Sequence, residues 1–123
     1  MNYLLDTNIF IQAQKIDYPF DVFPGFWEWL ERDLKGGVIH SIEPVFKEIK
    51  NGNDELSNWI LDYRSLDCFL TVDDEETQNA FREIVNWVNF SSTFKETAKI
   101  DFLSGADPWL IAKAKSTNCT IVT

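Results

Sequence analysis

Four short apolar runs, separated by long stretches of helical periodicity, restrict this chain more than any other feature. They are Tyr3–Leu5, "VIHSI" (38–42), "CFLTV" (68–72) and "CTIVT" (119–123). The first has no polar alternation, as expected of a central parallel strand covered on both faces. Between the runs the spacing predicts helices. One runs from about Asn8 to Lys15, and one over Phe26–Leu34, where Phe26, Trp27, Leu30 and Leu34 share a face and Gly36-Gly37 ends it. "EPVFKEIK" starts another with Pro44 at its first position, and Asp54 caps a fourth carrying Leu56, Trp59, Ile60 and Tyr63. A long amphipathic helix covers Asp73–Phe90, and a further one runs from Ser92 to about Leu103. In "ADPWLIAKAK", Asp107 is expected to cap a helix with Pro108 at its first position. Pro19, Pro24 and Gly25 mark an irregular connection before Phe26. Strands alternating with helices predict one α/β domain, residues 1–123, with a mainly parallel sheet.

The chain has 123 residues, enough for one domain with a real core. No apolar run approaches the ~20 residues that span a bilayer, and the first residues lack the features of a signal peptide. Cys68 and Cys119 lie in apolar surroundings without CxxC spacing, which fits two buried thiols in a reducing compartment; a cytoplasmic location is expected. The net charge of -9 argues against a non-specific nucleic-acid binder. It leaves room for a nuclease whose carboxylates gather around a divalent cation.

In parallel α/β sheets, ligands bind at the carboxyl ends of the strands. Asp6 ends the first strand, Glu48 lies in the helix leaving the second, and Asp107 begins the helix that returns to the fourth. Three carboxylates far apart in sequence are therefore expected to converge at one sheet edge. Each has a plain structural account as well. Asp6-Thr7-Asn8 and Asp107 suit helix caps, and Glu48 between Lys47 and Lys50 suits a solvated helix face. Together they make a stronger case, because like charges ~4 Å apart repel by about 4 kcal/mol at an effective dielectric of 20. Hard oxygen donors suit Mg²⁺ or Mn²⁺. Such an ion acidifies a bound water and neutralises a phosphoryl oxygen, so the chemistry expected is phosphodiester hydrolysis.

"YLLDTNIFI", "SIEPVFKEI" and "ADPWLIAKAK…CTIVT" resemble, in that order and over essentially the whole chain, the PIN-domain family. The likeness is to its small bacterial and archaeal VapC-like members, in which "FPGFWEWL" is also familiar. The resemblance implies a three-layer α/β/α fold with strand order 3-2-1-4-5. It implies a Mg²⁺- or Mn²⁺-dependent endoribonuclease acting on RNA, the toxin of a toxin–antitoxin pair, with an antitoxin protein or a second copy as partner. Asp6, Glu48 and Asp107 match the family's acidic catalytic and metal-binding positions; Asn8 matches an auxiliary polar position, with Thr7 beside it. The family pattern continues to a fourth acidic residue and a fifth strand, whereas this chain stops at Thr123. The expected order is then 3-2-1-4, with Thr123 and Asp101 as auxiliary candidates and the edge of "CTIVT" open to pairing. The alternative is a catalytically weak PIN-like protein that works by binding an antitoxin or by self-association.

Other readings fit fewer residues. A dehalogenase-type phosphatase wants Asp-x-Asp after the first strand, where Asn8 takes the second position, and a receiver domain wants an acidic pair where only Asp6 stands. His40, the single histidine, is expected to be a satisfied structural residue, and Asp73–Glu76 a solvated helix start. Five tryptophans are mostly expected in the core, although Trp27 and Trp29 cannot face the same way on one helix.

Overall fold

The computed structural model describes residues 3–52, 54–62 and 68–123. Among them four strands form one all-parallel sheet: β1 (Tyr3–Leu5), β2 (Ile39–Ile42), β3 (Phe69–Leu70) and β4 (Thr120–Val122), in the order β3-β2-β1-β4. Register is set by Leu4 opposite His40 on one side and Ile121 on the other. Ser41, fully buried in β2, adds a side-chain tie, its Oγ donating to the Leu5 carbonyl at 2.8 Å.

The helices fill the crossovers. α1 (Thr7–Gln12) widens at its end into a π-helical turn over Ala13–Asp17, closed by the Tyr18 N–H on the Ala13 carbonyl. α2 (Pro24–Lys35) completes the first connection, α3 (Glu43–Lys50) and α4 (Glu55–Leu61) the second, and α5 (Glu75–Phe90), α6 (Glu96–Ser104) and α7 (Asp107–Thr117) the third. Parallel crossovers are right-handed. The chain steps outward from β1 to β3 and then jumps back to β4, so α1–α4 and α5–α7 fall on opposite faces. The α/β fold and the order 3-2-1-4 agree with expectation.

Fully buried Leu4, Phe10, Ile42, Val45 and Ile60 anchor the core beneath the first layer. Trp27 is buried and edges against Trp59 at 4.9 Å between ring centroids, whereas Trp29 on the opposite side of α2 is exposed. On the other layer, α5 and α7 pack along each other, with Phe81 stacked on Trp109 at 3.7 Å.

Several local expectations are corrected. β3 is two residues long rather than five, and α6 begins at Glu96 rather than Ser92. Pro44 and Pro108 are each the second helical residue, because Glu43 and Asp107 already adopt helical geometry. Trp87 is 65% exposed and not part of the core. His40 is not satisfied: its buried Nδ1 has no hydrogen-bond partner among the described residues, since it sits on β2 directly across from apolar Leu4. Cys68 is buried as expected, but Cys119 only partly. Asp54 caps α4 as expected, in a reciprocal pair with Ser57, and the Ser57 N–H and hydroxyl on its carboxylate lower its pKa; Tyr63 lies outside the described residues.

Asp74 caps α5 and also accepts from the Lys113 ammonium at 2.9 Å. That bond, foremost, holds its carboxyl down at about 2. A depressed carboxylate stabilises the fold above its unfolded pKa, near 3.9, and the contribution is lost as pH falls toward the folded value. Asp74→Asn keeps the cap but removes the charge. Because Asp74 is partly exposed, the expected cost is at most about 1 kcal/mol near neutrality. In urea titrations the gap from the parent should close between about pH 4 and pH 2.

Candidate functional site

The strand order reverses between β1 and β4, and a crevice at the carboxyl edge of such a switch point is where α/β sheets place ligands. Asp6 follows β1 there, and its N–H donates to the Val122 carbonyl of β4 at 3.0 Å. Its buried carboxylate has two tasks. Oδ1 accepts from the Asn8 N–H at 3.5 Å, a long N-cap contact on α1, and Oδ2 accepts from Thr123 Oγ1 at 2.9 Å.

Glu48 sits on α3 and reaches across the same edge. Its Oε2 accepts from Thr7 Oγ1 at 2.9 Å, and its Oε1 accepts from the Ala106 N–H at 2.8 Å. One carboxylate thus links the start of α1 to the start of α7. The simple solvated-helix account of Glu48 does not describe these contacts.

Asp107 is the first residue of α7, not its cap. Ala106 occupies the cap position and has no side chain to cap with; its N–H is taken by Glu48. The Asp107 carboxylate is therefore not consumed in capping. Burial, then the facing charges of Asp6 and Glu48, push its pKa above the usual carboxylate range. Glu48, bonded to Thr7 and to the Ala106 N–H, lies between the residues that adjoin Asp6 and Asp107.

As placed, no three His, Cys, Asp or Glu side chains among the described residues enclose an ion-sized space. The donor set nevertheless suits a hard divalent cation. The oxygens are all carboxylate, the hydrogen bonds to Asp6 and Glu48 come from neutral hydroxyl and amide groups, and Glu48 and Asp107 are solvent-exposed, leaving them room to turn. Of the auxiliary candidates, Thr7 orients Glu48, and Thr123 touches Asp6 through its hydroxyl. Asn8 donates its backbone N–H to the capping Asp6, and it lines a neighbouring cavity. Asp101, on α6, is engaged only through its carbonyl, which accepts from Ser104 Oγ; among the described residues no bond joins its carboxylate to the cluster.

The sequence reading missed that cavity, of about 290 Å³, walled by Asn8, Gln12, Asp17, Tyr18, Phe26 and Thr123. The π-helical turn that builds it leaves no trace in hydrophobic periodicity, which treats Asn8–Lys15 as ordinary helix.

The model of one protein family, a domain of unknown function designated DUF4411, matches residues 3–123. The chain belongs to the DUF4411 family. No curated protein and no solved structure matches it. In this DUF4411 domain no helix among the described residues is long and apolar enough to cross a membrane.

Proposed function

We propose that this DUF4411 domain is a cytoplasmic, divalent-cation-dependent endoribonuclease of the PIN type, whose site is Asp6, Glu48 and Asp107. The observation that carries the reading is that Glu48 of α3 bonds Thr7, next to Asp6, and the Ala106 N–H, next to Asp107, which sets three acids from separate elements at the β1/β4 switch point. Asp6 caps α1 and Glu48 takes the N-cap N–H of α7 while also bonding Thr7, whereas Asp107 caps nothing.

In this reading, the three carboxylates hold Mg²⁺ or Mn²⁺, which supplies Lewis-acid activation of water and neutralisation of a phosphoryl oxygen. The protein's own contribution is positional. Thr7 and the Ala106 N–H fix Glu48, so the start of α7 and the carboxyl edge of β1 are held together. Thr123 and the Asn8 N–H fix Asp6 at the point where β1 surfaces. Burial first, and then the charges of Asp6 and Glu48, raise the Asp107 carboxyl, and a bound cation would relieve the second of these causes. Mn²⁺-dependent cleavage of single-stranded RNA, suppressed by EDTA, is the direct test. A purified chain that binds no divalent ion overturns the reading.

One surface favours a second reading, in which the domain works by binding the antitoxin-like partner that the PIN resemblance implies. Trp87, 65% exposed, borders an apolar groove between α5 and α6 with Val88, Phe94 and Phe102. Glu83, paired with Lys115, lines its continuation toward α7, and Glu96, paired with Lys99, stands exposed on α6. With a net charge of -9, the chain as a whole favours a basic amphipathic segment over a second copy at this apolar groove. Trp87→Ala is expected to weaken binding of a basic amphipathic helical peptide at least about tenfold, as for an aromatic anchor. Fluorescence anisotropy of the labelled peptide measures it, and unchanged affinity removes this reading.

A further inference from the structure

We infer that the cavity beside Asp6 is a nucleobase subsite that reads one base of a single-stranded RNA next to the phosphate bound at the carboxylates, an inference resting on the ribonuclease reading above. Its position comes first. Asn8 and Thr123, which line the cavity, are also the two residues that hydrogen-bond the Asp6 carboxylate. A nucleotide whose phosphate lies at Asp6 therefore has its base within one residue's reach of this wall. Size comes second. At about 290 Å³ the cavity falls at the small end of ligand sites, suited to one base and its sugar rather than a larger molecule.

The lining gives the class of ligand. Tyr18 stacks on Phe26 with ring centroids 4.3 Å apart and planes 10° from parallel, and Tyr18 is 40% exposed. Trp27 Nε1 donates to the Tyr18 carbonyl at 2.6 Å and fixes the turn that carries this pair. A fixed aromatic surface beside a phosphate site is a stacking platform for an unpaired base. The carboxamides of Asn8 and Gln12 make no hydrogen bond among the described residues, so their donors and acceptors remain available to a base edge. Asp17, presented by the π-helical turn, is an acceptor when ionised. It favours an edge rich in N–H donors, and guanine offers two adjacent N–H groups on its Watson–Crick edge, with O6 left for a carboxamide N–H. Guanine is the expected base.

The test is calorimetric titration of the full chain with GMP and with UMP in Mg²⁺, alongside a separate assay of RNA cleavage in Mn²⁺. GMP is expected to bind roughly fivefold or more tighter than UMP, the gain of one good bidentate contact. Gln12→Ala and the isosteric Asp17→Asn, both at exposed positions, should bring the two affinities together. Equal affinities in the parent, or a preference untouched by both variants, overturn the inference even if RNA is cleaved. A guanine preference lost in both variants, without cleavage of any RNA, upholds the base subsite and removes the ribonuclease reading instead.

Discussion

Asp6→Asn is expected to lower Mn²⁺-dependent RNA cleavage at least about a hundredfold, the scale of losing a group that stabilises transition-state charge. The same change should abolish stabilisation by the ion. A ligand present at 100 times its dissociation constant raises folding stability by about 2.7 kcal/mol. The parent should therefore melt later with saturating Mn²⁺ than in EDTA, while the variant melts at one temperature in both. The fold should survive, because Asn keeps an acceptor for the Asn8 N–H and can still pair with Thr123 Oγ1. In EDTA the variant should be at least as stable as the parent, since one of the charges that raises Asp107 is gone. Thermal scans of both proteins with and without Mn²⁺ check this. Equal ion-induced shifts in the two would place the metal elsewhere, and a variant that unfolds in EDTA would make Asp6 a structural residue first.

The second large effect concerns Phe10. Its ring is fully buried on α1, four residues after Asp6, and lies 6.2 Å from Trp59 between ring centroids. Phe10→Ala removes buried apolar surface and leaves a cavity between α1 and the α4 side of the core, at a cost of about 3–5 kcal/mol. For a domain of this size that lowers the melting temperature by roughly 10–20 °C. Against a total stability of about 5–15 kcal/mol it removes a large share. Chemical denaturation gives the number directly. A loss below about 1 kcal/mol would mean that α1 is not anchored through this ring, and the fixed position of Asp6 at the start of that helix would lose its physical basis.

Much of this architecture was legible in the residues. A run such as Tyr3-Leu4-Leu5 ending in Asp6 reads as a buried strand surfacing at its carboxyl end, and the structure has β1 at Tyr3–Leu5 with Leu4 and Leu5 buried. Asp54 reads as a helix start because a capping carboxylate acts locally, and the structure adds Ser57 as its reciprocal partner. Asp107 was less legible. Its place beside Pro108 suggests a cap, and only backbone geometry shows that Ala106 takes that position and leaves the carboxylate uncommitted. Trp87 shows the same limit, since helical spacing places it on a face but does not say whether anything covers that face.

The sequence by itself determined the alternation of strands and helices, the parallel sheet, and the three acids most worth following. Those depend on periodicity, local capping and chain direction, which act over a few residues. Only the tertiary structure decided that Glu48 grips both Thr7 and Ala106, that Thr123 bonds Asp6, and that a π-helical turn opens a cavity beside them. Those contacts join residues 41, 58 and 117 positions apart, and no local rule carries information over such separations. The order β3-β2-β1-β4, by setting β1 beside β4, brings them together.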